Sequence, residues 1–168
     1  MAQSYCLEVF GKPDLNTVMY ALIFSTQDDV VISHVTKELQ KVESNIRLVF
    51  ATSSVGMGFD SPCITNIVHA KPPRNMVDFV QQIGRAGRVG QPSQSVLYFN
   101  KSDIAANVQN MSEDIRALCK TDNCLRLCVL KVFGFTCTAE TITPCKCCSI
   151  CCDTCDCGNC NLHVDQSM

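Results

Sequence analysis

The chain has 168 residues, 46% of them hydrophobic and 18% charged, and a net charge of −2. That is enough for one ordinary domain with a core and a small appendage, and it excludes a chain that holds nucleic acid through a strongly basic overall field, so any such contact must come from a local patch. Met1–Pro13 does not read as a signal peptide, because Glu8 and Lys12 interrupt it, and no apolar stretch approaches the length of a bilayer.

In chain order, Thr17–Phe24 is apolar and β-prone. Thr26 followed by Asp29 makes a capping-box pattern. It opens a predicted helix whose Val31, Val35, Leu39 and Val42 fall on one face, with Asn45 ending it. Ile46–Ala51 is a near-continuous apolar run, as expected of a strand buried on both faces. Thr52–Asp60 follows it directly, with Gly56 and Gly58 permitting a tight backbone path and Asp60 closing the turn. Ile64–His69 reads as another strand. Pro72 and Pro73 then break the chain, and Asn75 is placed to cap a helix over Met76–Ile83. Ser95–Phe99 is a further strand. This β-α-β order predicts a parallel sheet with crossover helices, whose ligands bind in loops at the carboxyl ends of the strands.

Residues 81–90, Gln-Gln-Ile-Gly-Arg-Ala-Gly-Arg-Val-Gly, are the most informative stretch. Arg85 and Arg88 stand among Gly84, Gly87 and Gly90. Guanidinium groups are permanently charged forks of donors that fit phosphate oxygens. Glycines beside them let the backbone approach a partner. If 81–85 is helical, Gln81 and Arg85 share a face at i and i+4. The task these residues suit is gripping a nucleoside triphosphate from one side.

Near Asp103 the pattern changes. Asp103–Lys120 reads as one helix, with Ile104, Val108, Met111, Ile115 and Leu118 at helical intervals, and Asp122–Phe133 as a second. Short loops and cysteines follow. Of 14 cysteines, six precede residue 145 and eight crowd into Cys145–Cys160. Clustered in this way, without a secretory signal, they are expected to bind metal and not to form a disulfide framework.

Residues 81–90 resemble motif VI of superfamily 2 helicases in the form used by RecQ-type DNA helicases, and Ala51–Asp60 resembles motif V of the same family. The pair stands in the family's order. The likeness covers about residues 15–160. It implies an α/β fold: a parallel-sheet RecA-like lobe of the P-loop NTPase type over 1–104, entered past its opening strand, then a small helical, cysteine-rich zinc-binding subdomain over 105–168. It implies that Arg88 is an arginine finger, that Arg85 sits beside it near the γ-phosphate, and that Gln81 makes a polar contact in the same cleft. Gly58, Asp60, Gly84 and Gly87 would line the nucleotide. Thr52 and Ser53 would touch a nucleic-acid backbone. Such contacts position a strand without reading its sequence.

Cys124 opens a segment that looks like the family's cysteine-and-arginine helix ending in Phe133-Gly134. Cys152 and Cys155 look like its closing pair, with Cys145 or Cys148 as the fourth ligand of a structural zinc ion. Neither a Gly-x-x-x-x-Gly-Lys-Ser/Thr loop nor an Asp-Glu-x-His motif is present. In the family both belong to a first lobe, so ATP and Mg2+ are expected only together with such a lobe, and the chain alone is expected to be inactive as an ATPase. The implied activity is ATP-driven 3′-to-5′ unwinding. The implied partners are DNA, single-stranded or forked, and the first lobe. The implied location is the nucleus of a eukaryote or otherwise the cytoplasm, without secretion. Two other classes fit the residues: a non-catalytic module holding single-stranded DNA or a protein, and a cysteine-rich metal-binding protein.

Overall fold

The computed structural model describes residues 20–52, 61–136 and 146–156. They fall into two compact units: residues 20–52, 61–70 and 80–98 in the first, and 71–79, 99–136 and 146–156 in the second.

The first unit begins with a strand, β1 (Tyr20–Ile23), a helix, α1 (Asp29–Leu39), and a strand, β2 (Leu48–Ala51). The two strands pair in parallel, from Tyr20 opposite Leu48 to Ile23 opposite Ala51. Ala21 and Ile23, two residues apart and so on one side of the strand, meet Val35 and Leu39, one turn apart on α1. Ile32, Ile46 and Val49 complete this core. Ile23 is 2% exposed, a burial that contributes about 1.5–3 kcal/mol.

The cap of α1 differs from the expected one. Asp28, not Thr26, accepts the N–H of Val30 at 2.9 Å. A carboxylate immediately before the first turn satisfies an orphan donor and complements the helix dipole, so it outcompetes a hydroxyl two residues earlier. The helix also stops at Leu39, before Asn45, and leaves Val42 79% exposed. β2 is less buried than its apolar run predicts, with Leu48 41% exposed. Among the described residues it pairs with β1 alone, and a two-stranded sheet has too little cover for both faces.

The rest of the first unit contains β3 (Asn66–His69) and β4 (Gln94–Leu97), again parallel, in register from Asn66 opposite Gln94 to His69 opposite Leu97. Between them in sequence runs α2 (Met76–Ile83). Asn75 caps it as expected, its Oδ1 accepting the Asp78 N–H at 2.8 Å. The α/β class and the parallel pairing agree with the sequence, but the described strands form two separate pairs and not one sheet.

In the second unit the expected helix over Asp103–Lys120 is cut short. Only α3 (Glu113–Lys120) is helical. Asn110 takes a left-handed φ of 58°, and the Ser112 N–H goes to the Arg74 carbonyl at 2.8 Å. Carbonyls that a continuous helix would use internally instead meet Arg116. Its guanidinium donates to Ile104 O at 2.6 Å, to Ala105 O and to Val108 O at 2.9 Å. Arg116 is 6% exposed and also pairs with Glu113 at 3.2 Å. Then come α4 (Leu125–Val132), ended by Gly134 at φ 75°, and the short α5 (Ser149–Asp153). No helix among the described residues is long and apolar enough to cross a membrane.

Removing Arg116 strands one buried and two partly buried carbonyls at once. Arg116→Met is expected to lower unfolding stability by on the order of 3 kcal/mol. Urea denaturation checks this, and a loss under about 0.5 kcal/mol, the size of an ordinary surface change, would contradict it.

Candidate functional site

Helix α2 ends at Ile83, and the chain then makes a succession of tight turns. Arg85 N–H bonds to Gln82 O at 3.2 Å, Ala86 N–H to Ile83 O at 3.2 Å and Gly90 N–H to Gly87 O at 3.0 Å. Gln81 and Arg85 therefore do not share a helical face, because the backbone tightens to i→i+3 bonding before Arg85 is reached. Gly87 and Gly90 sit at φ 74° and 85°, where a side chain is strained. A Cβ on Gly87 would also lie 2.6 Å from Ser93 Oγ. The Gly87 N–H reaches Ile64 O at 3.0 Å and so ties the turn to the chain entering β3.

Arg85 is half-buried and Arg88 exposed. Arg88 Nε approaches Gly84 O at 3.4 Å. Its side chain borders an open depression that Gln40, Pro62 and Val89 also line. A permanent positive charge at the lip of open space is within reach of an anion that enters it. Gln81 and Gly84 are exposed and Gly87 half-buried on the same turn. Thr52 is exposed just past β2, its N–H on Ile23 O at 3.1 Å. Ser53, Gly58 and Asp60 lie outside the described residues.

His69, at the end of β3 and 8% exposed, lies 2.9 Å through Nε2 from Gln82 Oε1. That bond links the strand to the helix leading into the arginine turn. Burial holds the His69 pKa below its ordinary value, outweighing the raising effect of bonds to Gln82 and the Val96 backbone.

A second cluster lies in the other unit. The sulfurs of Cys124, Cys147, Cys148 and Cys151 all stand within 4.8 Å of one another. Cys124 occupies the N-cap position of α4, Cys148 that of α5, and Cys151 follows in α5's first turn. The Cys124 and Cys147 sulfurs are 3.5 Å apart and all four thiols are free. A disulfide needs about 2.05 Å. A tetrahedron with metal–sulfur bonds of about 2.3 Å has edges of about 3.8 Å, which this group fits. Burial pushes the Cys148 thiol up, but hydrogen bonds from the Cys151 and Leu125 backbone and from the Cys151 and Cys124 side chains outweigh it and hold it at about 7. Cys151 is pushed up to about 12, first by its bond to Cys148, then by Cys124 and burial. The two thiols are thus pushed in opposite directions by the bond between them.

Of the ligands expected from sequence, this group contains Cys124 and Cys148. Cys152 and Cys155 are not in it, and Cys145 lies outside the described residues. The extended backbone at Cys148 turns its sulfur toward that of Cys151, while Cys152 is a further 100° or so around the helix. Cys151, third in the Cys145-x-x-Cys148-x-x-Cys151 run, is passed over in the sequence reading for Cys152 and Cys155, and Cys147 escapes it altogether. Its signal was adjacency to Cys148, which spacing rules do not score.

Residues 16–90 match the family described as the helicase conserved C-terminal domain. The chain is 31% identical over 137 residues to the ATP-dependent DNA helicase RecQ of Bacillus subtilis, covering 71% of this chain and 22% of that protein. This is a RecQ-type superfamily 2 helicase C-terminal region. A putative ATP-dependent DNA helicase Q1 of Caenorhabditis elegans is 30% identical over 128 residues, 70% of this chain and 19% of its own length. The RecQ helicase of Haemophilus influenzae is 27% identical over 151 residues, 81% of this chain and 23% of that one. The RecQ-type region therefore spans roughly a fifth of the length of these relatives. Its family implies a RecA-like fold, to which the parallel strand pairs are suited.

Because the folded pKa of His69 is depressed, its contribution to stability is complete above the unfolded value near 6.5 and is lost as pH falls below it. Melting of this RecQ-type region at about pH 7.5 and about pH 5.5 should show a larger acid loss in the wild type than in His69→Asn. Equal losses would contradict the assignment.

Proposed function

We propose that this chain supplies the arginine-bearing lobe of an ATP-driven, 3′-to-5′ RecQ-type DNA helicase. ATP and Mg2+ are held by a first lobe, and Arg88 enters that nucleotide site with Arg85 beside it. The observation that carries the reading is the arginine turn itself. Two guanidiniums stand on a glycine-bearing loop, which is bonded through Gly87 to the segment following Thr52–Asp60. A charge fixed in advance where the transferred phosphoryl group becomes more negative lowers the barrier without reorganisation. Asp60, Gly58, Gly84 and Gly87 border the nucleotide, Gln81 couples it to the cleft, and Thr52 and Ser53 hold the backbone of single-stranded or forked DNA.

The chain alone is expected to show no ATP turnover with saturating single-stranded DNA. Joined to a first lobe of a RecQ-type helicase it should turn over, and Arg88→Ala should then lower kcat by on the order of 10³-fold or more. Steady-state kinetics check both. Turnover by the chain alone at the rate of a whole helicase, or an unimpaired Arg88→Ala fusion, would contradict the reading.

The same reading assigns a structural zinc ion to Cys124, Cys147, Cys148 and Cys151. The ion would bind as a closed tetrathiolate and lend folding free energy to a unit of short helices. One zinc per chain is expected, with sulfur neighbours at about 2.3 Å by X-ray absorption. Cys124→Ser and Cys151→Ser should each weaken retention against a chelator. Several ions per chain would favour a metal-buffering protein instead.

A further inference from the structure

Gln91 lies just past the arginine turn, yet it ties that turn to the chain beyond residue 60. Its Oε1 accepts the Val89 N–H at 3.1 Å. Its Nε2 donates to Pro62 O at 2.6 Å and to Ile64 O at 3.3 Å. One amide group thus grips the arginine turn next to Arg88 and, with its other end, the chain just beyond residue 60. That second segment is itself anchored, since buried Ser61 donates through Oγ to Leu39 O at 2.7 Å at the end of α1. The Gly87 N–H shares the Ile64 carbonyl.

We propose that Gln91 is a positioning residue. It sets where Arg88 stands by stapling the arginine turn to the Ser61–Ile64 segment. The inference rests on the reading of Arg88 given above. Glutamine suits the place because it alone of the common side chains of this length offers an acceptor to one strand of the staple and two donors to the other. A glutamate would keep the acceptor for Val89 but set a carboxylate against two carbonyl oxygens. A methionine would keep the length and lose every bond. Arg88 is exposed and its Nε approaches Gly84 O on the same turn, so its aim follows the backbone of that turn. Displacement of a catalytic group by about 1 Å can cost on the order of 10²-fold in rate.

The full 168-residue chain, joined to a first RecQ-type lobe, provides the test, with Gln91→Met and Gln91→Glu made in the parent and in Arg88→Ala. In the parent both variants should lower kcat by roughly 10-fold to 100-fold with KM for ATP unchanged. In Arg88→Ala the same changes should cost nothing further, because a residue that acts through Arg88 has nothing left to position. A loss of equal size in both backgrounds, or none in the parent, overturns the inference. Amide hydrogen exchange on the unfused chain reads the staple directly. Val89 and Gly87 should exchange at least about 10-fold faster in Gln91→Met, while the β1 and β3 amides keep their protection. Unchanged exchange at Val89 also overturns it. If Arg88→Ala itself leaves turnover intact while Val89 exchange still accelerates, the staple stands and the arginine reading beneath it has failed.

Discussion

The amide of Gly87 donates to the carbonyl of Ile64 at 3.0 Å, and the shape of the arginine turn depends on that bond. To make it, the chain leaving α2 must reverse through a left-handed residue, so Gly87 adopts φ 74° with Ser93 packed where a Cβ would be. The reversal sends Arg88 outward to the edge of open space while Arg85 is half-buried. Two arginines three residues apart in an ordinary helix would share a solvated face. Here the backbone separates their environments before any side-chain contact does. The Gln91 amide and the His69–Gln82 bond then brace the turn from its two ends.

Much of the fold was legible because it is local. The β-α-β order, the bounds of α2 and the Asn75 cap follow from apolar periodicity and short-range hydrogen bonding. The misses are cases where a distant or idiosyncratic partner intervened. Periodicity carried a helix through Ile104 and Val108, but Arg116 claims their carbonyls and Asn110 breaks the path. The Thr26 pattern was plausible until a carboxylate two residues on took the cap. Gln91 was invisible in sequence because its partners Pro62 and Ile64 stand 29 and 27 residues away. The arginine turn itself was legible as glycine and guanidinium spacing, whereas its docking on Ile64 was not.

The cysteine cluster shows the limit of spacing arguments most clearly. With eight cysteines in sixteen residues, almost any Cys-x-x-Cys step can be drawn as a ligand pair. What selects Cys147, Cys148 and Cys151 is backbone conformation: an extended Cys148 in the N-cap position of a five-residue helix, facing the N-cap residue of α4. Helices as short as α4 and α5 are marginal in isolation. The four sulfurs, all within 4.8 Å of one another, bring the starts of these two helices together.

The most direct measurement is a structure of the chain joined to a first RecQ-type lobe, with ADP, Mg2+ and aluminium fluoride standing in for the transferring phosphoryl group. The account predicts an Arg88 nitrogen within about 3 Å of a fluoride, with the Gly87–Ile64 bond and the Gln91 staple intact. An Arg88 that points into solvent away from the nucleotide, with the turn otherwise unchanged, would contradict it.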